Sequence, residues 1–192
     1  MIIYTEAGGR GITSLAEAQN YVRKKAVRIC GERRQITMEH DNIIQAVIEK
    51  LGGVLRINLN AAKKLIAAIE EEAAKRGMKA VIAVCSPEGN PVAVHVMDGA
   101  LIVSFDIAVK KAYTSAAVKM PTKELGELAM PGGPLYGIDK ADGRLIIFGG
   151  GVPLFRKGIL VGGLGISGGT AREDEALAEY GLSVLEDCYD II

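Results

Sequence analysis

A chain of 192 residues with 49% hydrophobic and 24% charged side chains has the length and composition of one globular domain with an extension. Its 23 basic and 23 acidic side chains cancel, which argues against a nucleic-acid partner because no basic surface would face the phosphates. No apolar run approaches the roughly 18 residues that a membrane span needs, and the start of the chain lacks the features of a secretory signal. Three scattered cysteines without a CxxC pair favour a reducing compartment, so we expect a cytoplasmic protein.

Residues 1–57 are predicted to form a helical N-terminal extension. Ser14 and Glu17 have the spacing of a capping box ahead of a first helix. A second, short helix over 41–51 carries five apolar side chains on one stripe and stops at the glycine pair 52–53. A helix of about eleven residues is unstable alone in water. We therefore expect it to dock, either on its own domain or on a partner.

Residues 58–192 form the second predicted domain, in which helices and strands alternate. Hairpin-length links join neighbouring strands, and parallel strands would need longer crossovers, so the sheet should be antiparallel. The predicted class is α/β (α+β), with a five-stranded antiparallel sheet flanked by helices, similar to profilin and PAS folds. The elements are a helix that Asn60 caps and that ends at Gly77, strands over 80–85 and 91–96, a helix that Asp98 caps and that runs to about Val118, strands over 144–148, 152–155 and 158–162, and a helix that Thr170 and Glu173 cap.

Glycine-rich segments are the first candidates for function. A literal GxGxxG over 163–168 lacks the following strand and acidic residue of a dinucleotide site, so close backbone packing explains it better. The segments 131–137 and 148–153 are glycine-rich as well, and three successive glycines cost backbone entropy. They are either turns alone or a pocket in which bare amides and aromatic side chains receive a flat or anionic ligand.

Titratable side chains give weaker signals. His95 is the only histidine of the second domain, on a strand where period two puts it opposite Val94 and Val96. It is either a surface histidine or the first candidate for axial ligation of a metal. The segment 110–113, with two lysines and a tyrosine, is either a solvated helix face or a proton-transfer site. No nucleophilic triad is visible, because the two histidines of the chain are separated by 54 intervening residues and the sequence pairs neither of them with a serine.

Several of these segments occur in a familiar order. Pro91–Ala100, Lys110–Thr114, Leu145–Leu154 and Gly165–Thr170 together resemble the GlcG/HbpS-type haem-binding family, and Met120–Thr122 with Gly132–Gly137 are most similar to its PduO C-terminal-domain branch. The resemblance implies an antiparallel sheet with flanking helices, a homo-oligomer, and a module that binds haem, or cobalamin or another corrinoid, for storage, sensing or delivery. It leaves two alternatives, an iron-dependent haem-degrading enzyme and a structural cargo protein of a bacterial microcompartment. We favour a binding protein over an enzyme.

The resemblance also suggests where a tetrapyrrole would bind. Glycines let a macrocycle approach the backbone, and Tyr113 and Phe148 would be its apolar walls. The PduO-like branch offers a histidine in the first helix of the domain, and residues 60–77 have none. The axial ligand therefore stays open among His95, Tyr113, Met97, Met120 and Cys85. The glycines of the predicted site are Gly132, Gly133, Gly149, Gly150 and Gly151.

Two partners other than the ligand are predicted. The near absence of net charge and the apolar stretch 100–109 favour a symmetric homo-oligomer, with the outer side of the hairpin as a further contact surface. Residues 41–51, followed by a glycine pair, resemble the encapsulation peptides that direct enzymes into bacterial microcompartments. A microcompartment shell protein is therefore a predicted partner of that segment, in a helix-in-groove mode.

Overall fold

The computed structural model describes residues 56–189. The chain divides into two compact units, Met1–Gly53 and Val54–Ile192, and the described residues all belong to the second. The predicted helices of the N-terminal extension, including the one over 41–51, lie outside the described residues. The elements are α1 (Leu59–Lys75), β1 (Val81–Cys85), β2 (Pro91–Val96), α2 (Ile102–Val118), α3 (Thr122–Leu128), α4 (Ile138–Ala141), β3 (Gly151–Arg156), β4 (Ile159–Ser167), α5 (Ala171–Ser183) and a 3-10 turn at Glu186–Cys188.

Helix α1 covers one face of the sheet with an apolar stripe that is fully buried. The prediction that Asn60 caps this helix was wrong, because the side chain of Asn58 accepts the hydrogen bond from the backbone N–H of Ala61 at 2.8 Å. An acceptor placed there satisfies one of the N–H groups that the first turn leaves unpaired. The predicted stop at Gly77 is confirmed, and this glycine adopts the left-handed conformation, with φ of +69°.

Four antiparallel strands form the sheet in the order β2-β1-β4-β3. Every residue of the central strand β1 is buried. Because successive side chains of a strand point to opposite faces, both faces of β1 are covered. Ile82 and Val84 face the core under α1 and α5, whereas Val81 and Ala83 face α2 on the other side. The predicted α/β class, a helix-flanked antiparallel sheet, is confirmed.

The strand count differs from the prediction, because residues 144–148 do not join the sheet. The backbone N–H of Ile146 donates to Oγ1 of Thr114 at 2.9 Å, and that hydroxyl lies 3.3 Å from the carbonyl oxygen of Arg144. The N–H of Leu145 closes a turn onto the carbonyl of Asp142. The N–H groups of Leu145 and Ile146 therefore bond to a turn and to a helix side chain instead of a neighbouring strand.

Helix α2 packs very closely on strand β4. A Cβ added to Gly163 or Gly165 would overlap the carbonyl oxygens of Ala112 or Ala108 on α2. The GxGxxG pattern thus reflects close backbone packing, as predicted, and the helix in contact is α2 rather than the one that follows β4. Asp98 does not cap α2, contrary to prediction: the N–H of Ala100 bonds to the carbonyl of Met97, which puts Asp98 in a turn ahead of the helix.

The last helix begins as its sequence predicts. Oγ1 of Thr170 accepts from the N–H of Glu173, whose carboxylate accepts from the N–H of Thr170 at 2.8 Å, completing the capping box. None of the helices within residues 56–189 has the length and apolar character needed to cross a membrane.

Candidate ligand-binding site

His95 lies on β2, an edge strand of the sheet, and faces α1. Its register partner on β1 is Ile82, which belongs to the core under α1, while Val94 packs on the α2 side. The prediction that these two residues of β2 point to opposite faces is confirmed. The Nδ1 atom of His95 is 3.0 Å from Oε1 of Glu70 on α1. Since a carboxylate only accepts hydrogen bonds, Nδ1 donates, and Nε2 is the ring nitrogen left for a ligand.

Tyr113 is engaged in a polar cluster on the opposite side of the sheet. Its hydroxyl donates to Oδ2 of Asp142 at 3.0 Å, and the guanidinium of Arg144 bonds to the same carboxylate at 2.7 Å. That guanidinium also stacks 4.0 Å from the centre of the Tyr113 ring. Partial burial and the neighbouring Asp142 raise the pKa of Tyr113, so its hydroxyl is a neutral donor at neutral pH. Hydrogen bonds from Arg144 hold the pKa of Asp142 far below its usual range.

Lys111 forms a buried ion pair that the sequence interpretation missed. Its side chain is 0% exposed, that of Asp174 is 4% exposed, and Nζ lies 2.7 Å from Oδ2 of Asp174. Nζ also donates to the carbonyl of Ile166 at 2.7 Å and lies 5.0 Å from the centre of the Phe148 ring. Burial lowers the pKa of Lys111, and the hydrogen bond with Asp174 opposes that shift. The alternative of a solvated face is therefore wrong for this residue.

A signal for this burial was present in the sequence. Lys111 lies three residues after Ala108 and four before Ser115, and both of these small residues are buried. It therefore belongs to the stripe of small side chains that α2 presents to the sheet. A lysine on such a stripe must either reach solvent or find a buried acceptor.

The glycine turn before β3 packs against this ion pair. Gly150 has φ of +112°, and a Cβ there would lie 2.7 Å from both Nζ of Lys111 and Cβ of Asp174. Gly151 approaches the carbonyl of Lys111 in the same way, and Gly149 approaches α5. These glycines are required by contacts within the chain. A bulky residue at Gly150 would therefore disturb the ion pair.

The remaining residues of the predicted site are more open. Gly132 has φ of +85° with nothing within 4 Å of an added Cβ, whereas Gly133 abuts the carbonyl of Leu128. The side chain of Phe148 is 43% exposed. The structure thus brings Phe148 and the glycines 149–151 together around Lys111. It places His95 on the other face of the sheet from α2, which carries Tyr113.

Cys85 is a less available axial ligand than His95, whereas Met97 and Met120 are partly buried, as His95 is. Burial raises the pKa of Cys85 to about 12, and its Sγ donates to the carbonyl of Ala112 at 3.2 Å, so it stays a thiol at neutral pH. Met97 is partly buried and packs against the core under α1. Within residues 56–189, no group of three or more His, Cys, Asp or Glu side chains could hold a metal ion.

Two surface features lie outside the predicted site. A cavity of about 260 Å³ is lined by Arg76, Met78, Arg172, Glu173 and Ala176, and the sequence predicted no ligand contact for any of them. Exposed apolar side chains also collect at the end of β2 and the start of α2, where Ile102 is 97% exposed. We call this surface the apolar patch, and its members are Val96, Leu101, Ile102, Val103 and Phe105.

Comparison with known proteins identifies the class to which this arrangement belongs. A family model described as haem degrading protein HbpS-like matches residues 57–183, and the chain belongs to this family. The prediction of a GlcG/HbpS-type domain of the PduO C-terminal branch is confirmed.

Relatives of known sequence or structure agree with this assignment. An uncharacterised 15.0 kDa protein from the dhaT–dhaS intergenic region of Citrobacter freundii is 37% identical over 137 residues, which cover 71% of this chain and 94% of the relative. The corrinoid adenosyltransferase PduO of Salmonella typhimurium is 37% identical over 123 residues, 64% of this chain but only 37% of that protein. A solved PduOC:heme complex has 35% sequence identity and a TM-score of 0.65, covering 67% of this chain and 94% of that one.

Proposed function

We propose that this chain binds a tetrapyrrole, with haem as the leading ligand. The observation that carries the proposal is the likeness to the PduOC:heme complex, which extends over 94% of that chain at 35% identity. This likeness supports a shared fold, while individual contacts with a ligand can differ. Storage, sensing or delivery of the ligand are the roles open to such a binding module.

The residues present fit a haem. His95 has a free Nε2 and a side chain that is 39% exposed, so one nitrogen ligand is within reach of solvent. A single histidine is a poor site for a free metal ion but suffices for iron that a porphyrin already holds on four sides. When bound, the haem would supply iron redox chemistry. Phe148 comes shortly before β3, at the opposite edge of the sheet from β2. We therefore propose that Phe148, Gly132 and Gly133 contact the macrocycle from a second copy of the chain, and that Gly149, Gly150 and Gly151 shape the turn that carries Phe148.

A corrinoid is the second candidate ligand. Its support is the name of the PduO relatives, of which the chain spans 37% and 48%. More than half of the length of each of those proteins lies outside the match, so adenosyl transfer is not part of the proposal. The chemical test is the same as for haem, since either metal would accept a nitrogen ligand.

Titration of the purified protein with ferric haem and, separately, with cobalamin tests the proposal. We expect a saturable Soret band with haem, with a shift from the spectrum of free haem. Bovine serum albumin that is titrated in parallel controls for nonspecific adsorption. Absence of a saturable spectral change with either ligand would refute tetrapyrrole binding.

Haem degradation is a second candidate function, which the description of the family model favours. A degrading enzyme would bleach its bound haem in the presence of a reductant and oxygen, and iron would be released. A binding module would keep its Soret band under the same conditions. Absorbance over time therefore separates the two functions once binding is established.

The surroundings of the protein are also a proposal. The apolar patch supports a homo-oligomer, because monomers rarely leave such large apolar side chains in water together. The PduO relatives and the resemblance of residues 41–51 to encapsulation peptides support a location inside a bacterial microcompartment, with a shell protein as partner. A structural cargo role would then need no bound ligand, so the haem titration also tests that alternative.

A further inference from the structure

We infer that His95 and Glu70 form a ligand pair for haem iron, in which Nε2 of His95 is an axial ligand and Glu70 is its positioning residue. The inference rests on the proposed function, because it requires that haem binds. Helix α1 of this chain holds no histidine but does hold Glu70.

The pair is fixed by well-packed elements. Glu70 follows Ile69, which is fully buried in the core beneath α1, and His95 pairs across the sheet with Ile82, which is fully buried as well. The hydrogen bond of 3.0 Å therefore joins a helix and a strand whose separation the core sets. Ligands on such elements keep their geometry better than ligands on loops.

The hydrogen bond prepares the imidazole for a metal. A carboxylate that accepts from Nδ1 fixes the tautomer, so the lone pair resides on Nε2. The negative charge also makes the imidazole a stronger electron donor to the metal. Carboxylates that accept a hydrogen bond from a metal-bound histidine act on it in this way.

Access to His95 is open. Strand β2 is at the edge of the sheet, with β1 as its one neighbour. Both His95 and Glu70 are part-exposed, so a planar ligand can reach Nε2 without an opening of the core. Among the other candidates, the thiol of Cys85 is buried and the hydroxyl of Tyr113 is occupied by Asp142.

Three variants test the pair in the full chain: His95→Ala, Glu70→Gln and, as a matched control, Glu71→Gln on the exposed side of α1. The readouts are the affinity for ferric haem, the absorption and electron paramagnetic resonance spectra, and the midpoint potential of the bound iron. His95→Ala should lose the nitrogen-ligated spectrum and regain it when imidazole is added. Glu70→Gln should weaken binding by about 10–100-fold and raise the midpoint potential, because a weaker donor stabilises ferric iron less.

The outcomes separate this inference from the proposed function. A wild-type protein that does not bind haem would overturn both. Wild-type binding with an unchanged spectrum and affinity in His95→Ala would overturn the ligand assignment alone. An unchanged affinity and potential in Glu70→Gln, or the same changes in Glu71→Gln, would overturn the role of Glu70. Thermal melts check folding, and His95→Gln is the substitute if the alanine variant melts early.

Discussion

Replacing Lys111 by methionine should strongly destabilise the domain. The variant keeps most of the side-chain volume but leaves the carboxylate of Asp174 buried without its cation. Breaking a buried pair from one side costs about 3–5 kcal/mol. The Oδ1 atom of Asp174 still accepts from the N–H groups of Gly168 and Gly169, at 3.1 and 2.9 Å. These bonds share the remaining charge, so we expect the lower end of that range, about 3 kcal/mol.

Thermal unfolding followed by circular dichroism measures this loss. For a domain of this size, each kcal/mol corresponds to roughly 3–5 °C, so the melting temperature should fall by about 10–15 °C. The control Lys110→Met, at the neighbouring position, should stay within about 0.5 kcal/mol of wild type. If Lys111→Met melts within two or three degrees of wild type, its loss in the free energy of unfolding is only about 0.5 kcal/mol, and the reasoning is refuted.

A double variant shows where the cost arises. Lys111→Met with Asp174→Asn removes both charges, and the asparagine oxygen can still accept from the two glycine N–H groups. It should therefore recover about half or more of the stability that the single variant loses. If the double variant is no more stable than Lys111→Met, the loss of stability comes from altered packing and not from the unpaired charge.

Three further predictions concern the surface and the N-terminal segment. The wild-type chain should scatter light as an oligomer of its 20.3 kDa subunit, and Ile102→Asp should shift it towards the monomer; a wild-type monomer at micromolar concentration would contradict this. The pKa of Asp142 is lowered in the fold, so its carboxylate contributes stability above about pH 4, and this contribution is lost as the pH falls through the folded-state pKa. The difference in melting temperature between wild type and Asp142→Asn should therefore become smaller from about pH 7 to about pH 2. A difference that stays constant would argue against the cluster of Tyr113, Asp142 and Arg144. Ile44→Asp with Ile48→Asp should abolish co-purification with microcompartment shells and leave haem binding intact, whereas loss of many degrees of melting temperature would show that the segment belongs to the core.

Most of the local elements could be predicted from the sequence. The capping box at Thr170 and Glu173 needs residues three apart, and the hairpin of β1 and β2 needs a short turn between two apolar runs. Both depend on neighbours along the chain. The glycines of β4 were also assigned correctly to close packing, since the GxGxxG pattern lacked the context of a dinucleotide site.

The failures share a cause. Residues 144–148 have the apolar composition of a strand, yet the backbone N–H of Ile146 donates to Thr114 of α2 instead of a neighbouring strand. The sequence does not show whether this segment bonds to the Thr114 side chain or to a neighbouring strand, because only folding brings the segment and Thr114 together. In the same way, Asn58 rather than Asn60 caps α1, since either residue satisfies the local preference and packing of the helix selects one.

For the candidate site, the sequence by itself supplied the chemical groups: one histidine in the domain and aromatic side chains near glycine turns. Its zero net charge predicts that nucleic acid is not a partner. Only the tertiary structure decided how these groups are used. It turned His95 towards Glu70, buried Lys111 against Asp174, and filled the space beside Gly150 with the chain's own atoms. The residues in each of these contacts are between 24 and 63 positions apart in the chain. Contacts at such separations follow from the packing of whole helices and strands, and the local periodicity of the sequence does not encode them.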